Sequence, residues 1–282
     1  SSDLDIMFFK NSKKDGLCTA RTDAESVKKT LAELSEPPLA VYLTSPDYLG
    51  EIADILGIAN VCKEFDIPLV VDNAHGAYLH FLGKKHPLDL GAAMCCDSAH
   101  KTLPVLTGGA YLHIHRKYME QFAPYARQAM TLFGSTSPSY LVLQSLDLCN
   151  RYLSEGYKEK LRDCAARMKE TKTFLEKKKI PLRESEPLKI VILSGKCGYT
   201  GEETAEEMRE YGIECEYADR EQVVLMITPE NTEEDFKRLY IWAEDTCLRK
   251  EKKSVIYPVF MEDFEAERVL SIRSEEHTSE LQ

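Results

Sequence analysis

The stretch "IPLVVDNAHG", residues 67–76, joins a continuous apolar run to a polar segment. A short apolar run of this kind is typical of a strand that is buried on both faces. Asp72 follows the run directly, so we expect it at the carboxyl end of a central strand. Ligands of open α/β sheets bind outside the carboxyl ends of the strands. The stretch therefore predicts a buried strand with a carboxylate at the ligand-binding edge.

Apolar runs and helical patterns alternate on both sides of this strand. We predict helices over residues 23–34 and 51–65, and further strands over residues 39–43, 92–96 and 108–114. Strands that alternate with helices indicate a parallel sheet covered by helices. The predicted fold class is therefore α/β, with a mostly parallel sheet in the first part of the chain.

A smaller α+β unit is predicted after two long helices, over residues 140–153 and 157–179. Its predicted elements are a strand, a helix, a second strand and a second helix, over residues 188–193, 202–211, 222–227 and from about residue 233. Thr232, three residues before an aspartate, is the predicted N-cap of the last helix. We expect residues 1–180 to form a large domain and residues 181–272 a small C-terminal domain.

The composition is typical of a globular protein, with 43% hydrophobic and 29% charged residues among 282. The nine cysteines include no C-x-x-C pair, so we predict neither a disulfide framework nor a metal site. Cys95 and Cys96 are expected to be small core residues of a cytoplasmic protein. The formal charge of −11 disfavours nucleic acid as a partner. No apolar run approaches the roughly 20 residues of a membrane span, so we expect no membrane contact.

Both ends of the chain are unusual. Residues 273–282, "RSEEHTSELQ", match the ten-codon translation of a common sequencing adapter, and the chain starts with serine instead of methionine. We expect this tail to be non-native and to have no defined place in the fold. The natural protein is then expected to extend beyond both ends, and the 282-residue chain is expected to be inactive by itself.

Lys101 lies in "SAHKTLP", residues 98–104, between two apolar runs. Together with Asp72 and His75, it is expected at the carboxyl edge of the sheet. Lysine is rarely buried without a partner, so an apolar setting suggests that its amine is a nucleophile with a lowered pKa.

Three interpretations of these residues remain open. In a purely structural one, Asp72 caps a helix and Lys101 pairs with a surface acid. In the second, "LVVDNAH" is a helicase D-E-A-H box, although Asn73 replaces the glutamate and no phosphate-binding G-x-x-x-x-G-K-[ST] precedes it. In the third, Lys101 forms a Schiff base with pyridoxal phosphate and Asp72 keeps the pyridine nitrogen protonated. The third accounts for Asp72, His75 and Lys101 together.

Four segments, "TSPDYLG", "IPLVVDNAHGAYLHF", "SAHKTLPVLTGGAYLHI" and "STSPSYLVLQSLD", resemble the large domain of bacterial Orn/Lys/Arg decarboxylases, which are fold-type-I pyridoxal-phosphate enzymes. The resemblance implies that Lys101 bonds the cofactor and that Asp72 pairs with its ring nitrogen. It further implies that Ala74 packs on one ring face and that His75 lies near the ring hydroxyl. It assigns the phosphate to two residues, Ser98 and His100.

The resemblance also implies a homodimer or a higher homo-oligomer. The loop Ser135-Thr136-Ser137 then reaches the cofactor of a partner subunit; alternatively, Ser137 caps the following helix. His113 and His115 are expected to be structural. The family has glutamate where Asn73 stands, with little expected effect, and its ring-stacking histidine and phosphate cup belong upstream of residue 1.

The expected activity is the decarboxylation of a basic amino acid, arginine, lysine or ornithine, to the corresponding amine and CO2. Lys101 is a candidate to protonate Cα. Two alternatives retain the same lysine and aspartate: another fold-type-I enzyme, such as an aminotransferase or a carbon–sulfur lyase, and a non-catalytic homologue.

Overall fold

The computed structural model describes residues 6–9, 22–246 and 248. Within these residues the chain forms two four-stranded sheets with helices packed against them. The strands are β1 (Val41–Thr44), β2 (Leu69–Asp72), β3 (Met94–Asp97), β4 (Tyr111–Ile114), β5 (Leu182–Arg183), β6 (Lys189–Ile192), β7 (Tyr217–Ala218) and β8 (Val223–Met226). The α-helices are α1 (Ala24–Glu33), α2 (Ile55–Glu64), α3 (Ala99–Thr102), α4 (Met119–Ala129), α5 (Tyr140–Ser154), α6 (Tyr157–Lys177), α7 (Gly201–Glu210) and α8 (Glu233–Asp245).

The first sheet has the order β1-β2-β3-β4, and β1, β2 and β3 are parallel. Thr44, Asp72 and Cys96 lie side by side in register near the carboxyl ends of these strands. β4 is antiparallel to β3, so the sheet is mostly parallel, as predicted. A parallel neighbour needs a crossover connection, usually a full helix, and α3 has only four residues.

One face of the first sheet is buried and the other is not covered by described residues. The helices α1 and α2 cover the buried face with apolar side chains such as Val27 and Ile58. On the opposite face, Tyr42 is 62% exposed and Leu112 is 42% exposed. Val70 on β2 is half-buried, so the prediction that this strand is buried on both faces is wrong for the described part of the chain.

The second sheet is antiparallel, with the order β5-β6-β8-β7. α6, α7 and α8 supply apolar residues to its core, among them the fully buried Trp242. The same core includes Tyr78 and Leu103, which lie on either side of β3 in the chain. The two sheets are thus joined by continuous apolar packing, and the division at residues 180 and 181 stays a prediction.

Most predicted elements are confirmed with small changes at their ends. The helix expected over residues 51–65 starts only at Ile55, because the side chain of Asp54 accepts a hydrogen bond from Gly57 N–H and caps it. α4 was not predicted.

The expected tail, residues 273–282, lies outside the described residues. Among the described helices, none combines the length and apolarity needed to cross a bilayer.

The predicted cap of α8 offers a test of the fold. Thr232 Oγ1 accepts a hydrogen bond from Asp235 N–H, and Asp235 Oδ2 accepts one from Thr232 N–H. Thr232→Ala should therefore lower the free energy of unfolding by about 1 kcal/mol in urea titrations. Thr173→Ala, at an exposed position inside α6, is the control and should not lower it, because alanine is the better helix former. Equal losses in both variants would contradict a capping role.

Candidate active site

The carboxyl edge of the first sheet carries the residues that the sequence selected. Asp72 is the last residue of β2, and Ser98 directly follows β3. The short helix α3 then places Lys101 Nζ 3.2 Å from His75 Nε2. Since β2 and β3 are parallel neighbours, all of these groups lie at one edge of the sheet. The structure therefore brings a lysine amine into direct contact with an imidazole at the end of a central strand.

Asp72 is half-buried, and each of its carboxylate oxygens accepts a hydrogen bond. Oδ1 accepts from Ala74 N–H at 3.0 Å, and Oδ2 accepts from the Tyr42 hydroxyl at 3.1 Å. Burial raises the pKa of Tyr42, and the neighbouring Asp72 charge raises it further, so the phenol keeps its proton. The chain turns after Asp72 instead of starting a helix, so the helix-cap interpretation is wrong. Sequence reasoning missed Tyr42, which only the strand register brings to this carboxylate.

His75 is 4% exposed, and burial favours the neutral form of its ring. Burial lowers its pKa to about 3, and the positive charges of Lys189 and Lys101 act in the same direction. With the Lys101 ammonium donating to Nε2, the ring proton of His75 resides on Nδ1. That buried Nδ1 makes no hydrogen bond to any described residue. His75 thus holds an unused buried donor that an acceptor oxygen of a ligand would satisfy.

Lys101 is exposed, so the apolar setting expected for it is wrong. The apolar runs that flank it in sequence are β3 and β4, whereas Lys101 itself lies in the connection beyond the end of β3. Its amine reaches His75 across the sheet edge instead of entering the core. Ala74 is expected to pack on one face of a cofactor ring. It lies in the same turn as His75 and is buried, with 7% exposure.

Ser98 and His100 flank the same edge. Ser98 is half-buried and precedes α3, but its side chain does not cap that helix. His100 Nδ1 lies 3.0 Å from the carbonyl oxygen of Gly109. Because a carbonyl only accepts, Nδ1 carries a proton, and Nε2 is the ring atom left to meet a ligand. The phosphate-binding roles of Ser98 and His100 stay predictions.

A buried ion pair at the start of β6, Lys189 with Glu186, lies next to the candidate site. Lys189 Nζ donates to the carbonyl oxygen of Tyr48 at 3.0 Å and lies 3.7 Å from Glu186 Oε1. The Tyr78 hydroxyl donates to the other oxygen of Glu186. The Tyr48 ring meets the His75 ring edge-on, with centroids 5.4 Å apart. Sequence reasoning missed these contacts, although two charged residues in the apolar stretch "EPLKIVIL" were a signal.

The buried carboxylate of Asp97, the last residue of β3, lies on the opposite face of the strand from Cys96. Asn73 Nδ2 donates to Asp97 Oδ1 at 2.6 Å, which gives the residue that departs from the family pattern a defined partner. Burial opposes the charged form of Asp97, but contacts with His113, His86 and Asn73 outweigh it and hold its pKa well below the usual range.

The loop at residues 135–137 was expected either to reach a partner subunit or to cap a helix. Ser139, and not Ser137, is the N-cap residue of α5, and its side chain makes no capping hydrogen bond. Ser137 N–H instead donates to Ser135 Oγ within the loop. The capping alternative is therefore wrong, and the contact with a partner subunit stays a prediction. His115 has the structural role expected of it, because its Nδ1 accepts from Lys117 N–H.

Several known proteins resemble the chain in sequence or in fold. A family profile described as "Orn/Lys/Arg decarboxylase, major domain" matches residues 14–194. The uncharacterized protein YaaO of Bacillus subtilis (strain 168) is 36% identical over 200 residues, 66% of this chain and 40% of that protein. Arginine decarboxylase of Bacillus cereus is 29% identical over 236 residues, 78% of this chain and 51% of that enzyme. The chain thus spans about half the length, or less, of these relatives.

The structure of the constitutive lysine decarboxylase of E. coli superposes with a TM-score of 0.61 at 18% sequence identity. The superposition covers 79% of this chain and 39% of that one. At this identity the likeness concerns the fold alone. The fold is that of fold-type-I pyridoxal-phosphate enzymes, with a mixed α/β architecture and a mostly parallel first sheet.

The low pKa of His75 makes stability depend on pH. In the unfolded chain His75 binds a proton below about pH 6.5, whereas in the folded protein it does so only near pH 3. Acid therefore favours the unfolded state, which binds the extra proton. Between pH 7 and pH 5 this group should lower the free energy of unfolding by on the order of 1–2 kcal/mol. Urea titrations at both pH values should show that His75→Gln removes this part of the pH dependence.

His80→Gln, at an exposed histidine of the neighbouring turn, is the matched control and should keep the wild-type pH dependence. If His75→Gln and His80→Gln both keep it, His75 is not the buried neutral group described above.

Proposed function

The chain belongs to the Orn/Lys/Arg decarboxylase family, and from this we propose that the whole protein decarboxylates a basic amino acid, arginine, lysine or ornithine, to its amine and CO2. The observation that carries the proposal is the contact between Lys101 and His75 at the sheet edge where β2 ends with Asp72. An amine, an imidazole and a carboxylate in this arrangement are the groups that pyridoxal-phosphate chemistry needs.

The described residues fit pyridoxal phosphate on chemical grounds. Lys101 offers an amine for attachment, Asp72 offers a carboxylate for the ring nitrogen, and buried His75 Nδ1 lacks an acceptor among the described residues. Ser98 and His100 would hold the phosphate. When bound, the cofactor supplies an electron sink for the electrons released as CO2 leaves.

The roles of the protein groups follow from their contacts. Asp72, held by Ala74 N–H and the Tyr42 hydroxyl, would keep a proton on the ring nitrogen because an opposite charge favours the ionised form. His75, neutral and packed against Tyr48, would fix the direction of the Lys101 amine. We assign to Lys101 Nζ the return of a proton to Cα of the product. Ala74 would present a small apolar surface to the ring.

We further propose a symmetric homodimer or higher homo-oligomer, because symmetric dimers are the commonest soluble homo-oligomers. Scattered cysteines without a disulfide pattern favour a reducing compartment, so we propose that the protein lies in the cytoplasm. The loop at residues 135–137 would complete the site of a partner subunit. The negative net charge suits a cationic small substrate and gives no reason to expect nucleic acid or membrane partners.

The test is a product assay on the full-length protein with arginine, lysine and ornithine. We expect stoichiometric CO2 and amine from one of the three, and borohydride reduction followed by peptide mapping should place the pyridoxyl adduct on Lys101. Lys101→Ala should lose both signals, and Lys84→Ala, at an exposed lysine, should keep them. A keto-acid product would indicate an aminotransferase, and no turnover with an intact adduct would indicate a non-catalytic homologue.

Asp72→Asn should lower kcat at least about 100-fold while the protein stays folded, since an amide cannot hold the ring nitrogen protonated. The fall in kcat should exceed any rise in KM, because the lost interaction strengthens only as charge develops. Asp66→Asn is the control: Asp66 is exposed and has φ of 56°, which asparagine tolerates. Near-wild-type kcat in Asp72→Asn would contradict the role of Asp72.

A further inference from the structure

Three side chains converge on the face of β3 that points away from Asp72. His86 Nε2 lies 3.2 Å from Asp97 Oδ2, and His113 Nε2 lies 3.1 Å from the same oxygen. The ligand-type atoms of the three side chains all lie within 4.8 Å of one another. We call this group the His–Asp cluster.

We propose that the His–Asp cluster, His86, Asp97 and His113, binds a zinc ion. The proposed zinc site is separate from the candidate active site, because the strand register puts the two on opposite faces of the sheet. Asp72 pairs with Cys96 on one face, whereas His113 pairs with Cys95 on the face that Asp97 shares.

The ligand types and their spacing favour zinc over magnesium or calcium. Two imidazoles and a carboxylate suit zinc, whereas magnesium and calcium prefer oxygen ligands. Ligands about 2.0–2.2 Å from a tetrahedral zinc are separated from each other by roughly 3.3–3.5 Å, which is close to the separations of both histidines from Asp97. Cys95 Sγ, a further zinc-compatible group, lies 3.5 Å from Asp97 Oδ1 and 3.8 Å from His86 Nε2.

Two contacts bear on the fit independently. His113 Nε2 is a buried atom without a well-directed hydrogen bond to any described residue, although it lies 3.1 Å from Asp97 Oδ2, so this nitrogen is available as a metal ligand. Asn73 Nδ2 donates to Asp97 Oδ1, the oxygen that does not face the histidines, and so orients the carboxylate as outer-shell partners of metal ligands do.

The competing arrangement is a cluster held by hydrogen bonds alone. His86 Nδ1 lies 3.3 Å from Leu88 N–H as an acceptor, which places the His86 proton on Nε2 and directs it to Asp97. Zinc at Nε2 would move that proton to Nδ1 and break the contact with Leu88. The two arrangements therefore differ in whether the protein binds zinc at all, which is measurable.

Zinc here would have a structural effect next to the candidate active site. It would tie the turn at Pro87–Leu90, which His86 precedes, to β3 and to β4. Asp97 is followed directly by Ser98 and α3, so the tie would fix the segment that carries Lys101.

The experiment titrates zinc sulfate into the untagged, reduced, metal-stripped chain against a chromophoric chelator, with thermal melting in parallel. We expect about one zinc per chain and a higher melting temperature with zinc. Asp97→Asn and His113→Gln should each weaken binding on the order of 100-fold or more. His80→Gln should bind as the wild type does, because His80 meets the His86 ring edge-on but is not one of the three proposed ligands.

Absence of zinc binding by the wild type would overturn the proposal, and so would binding that survives in both cluster variants. If circular dichroism shows that Asp97→Asn is unfolded, His113→Gln decides alone, since the His113 side chain is 38% exposed and the buried Asp97 keeps its contacts with His86 and Asn73 in that variant. Because the readout is zinc affinity, the result is independent of whether the protein decarboxylates amino acids.

Discussion

The parallel pairing of β2 with β3 is the constraint on which the candidate active site depends. It places Asp72 opposite Cys96, so that the segments following the two strands leave the sheet at the same edge. Strand side chains alternate between faces, and a slip of one residue would turn Asp72 to the helix-covered face. The apolar residues of β2 that pack on α2 prevent such a slip, because it would expose them to water. Core packing thus fixes the position of a polar group.

A second constraint is the ion pair of Lys189 and Glu186, whose side chains are each 1% exposed. Burying two charges costs several kcal/mol per ion unless hydrogen bonds satisfy them, and here Tyr78 and the Tyr48 carbonyl do so. The pair also shapes the chemistry next to it. The positive charge of Lys189 helps to keep His75 neutral, so a residue on the second sheet influences an imidazole on the first.

The two faces of the sheet edge have different chemistry although they share one strand. On one face a half-buried carboxylate, Asp72, lies at the end of β2, and nearby a neutral imidazole meets an exposed amine. On the other, Asp97 is surrounded by imidazole, amide and thiol groups. Alternation along β3 separates the two sets. A change at Asp97 would reach the candidate active site through the backbone of Ser98 and α3, and also through Asn73, which donates to Asp97 Oδ1 and directly follows Asp72 in the chain. This separation would allow the proposed zinc site and the candidate active site to lie a few residues apart.

Local patterns were enough to predict the strand that ends at Asp72, most helices and the cap at Thr232, because periodicity and capping depend on neighbours in the chain. They also selected Lys101 and His75, since each follows a recognisable strand. The exposure of Lys101, the antiparallel direction of β4 and the partners Tyr42 and Lys189 were decided only by the tertiary structure. Burial and pKa depend on which distant segments pack together, and apolar neighbours in sequence do not have to surround a side chain in space.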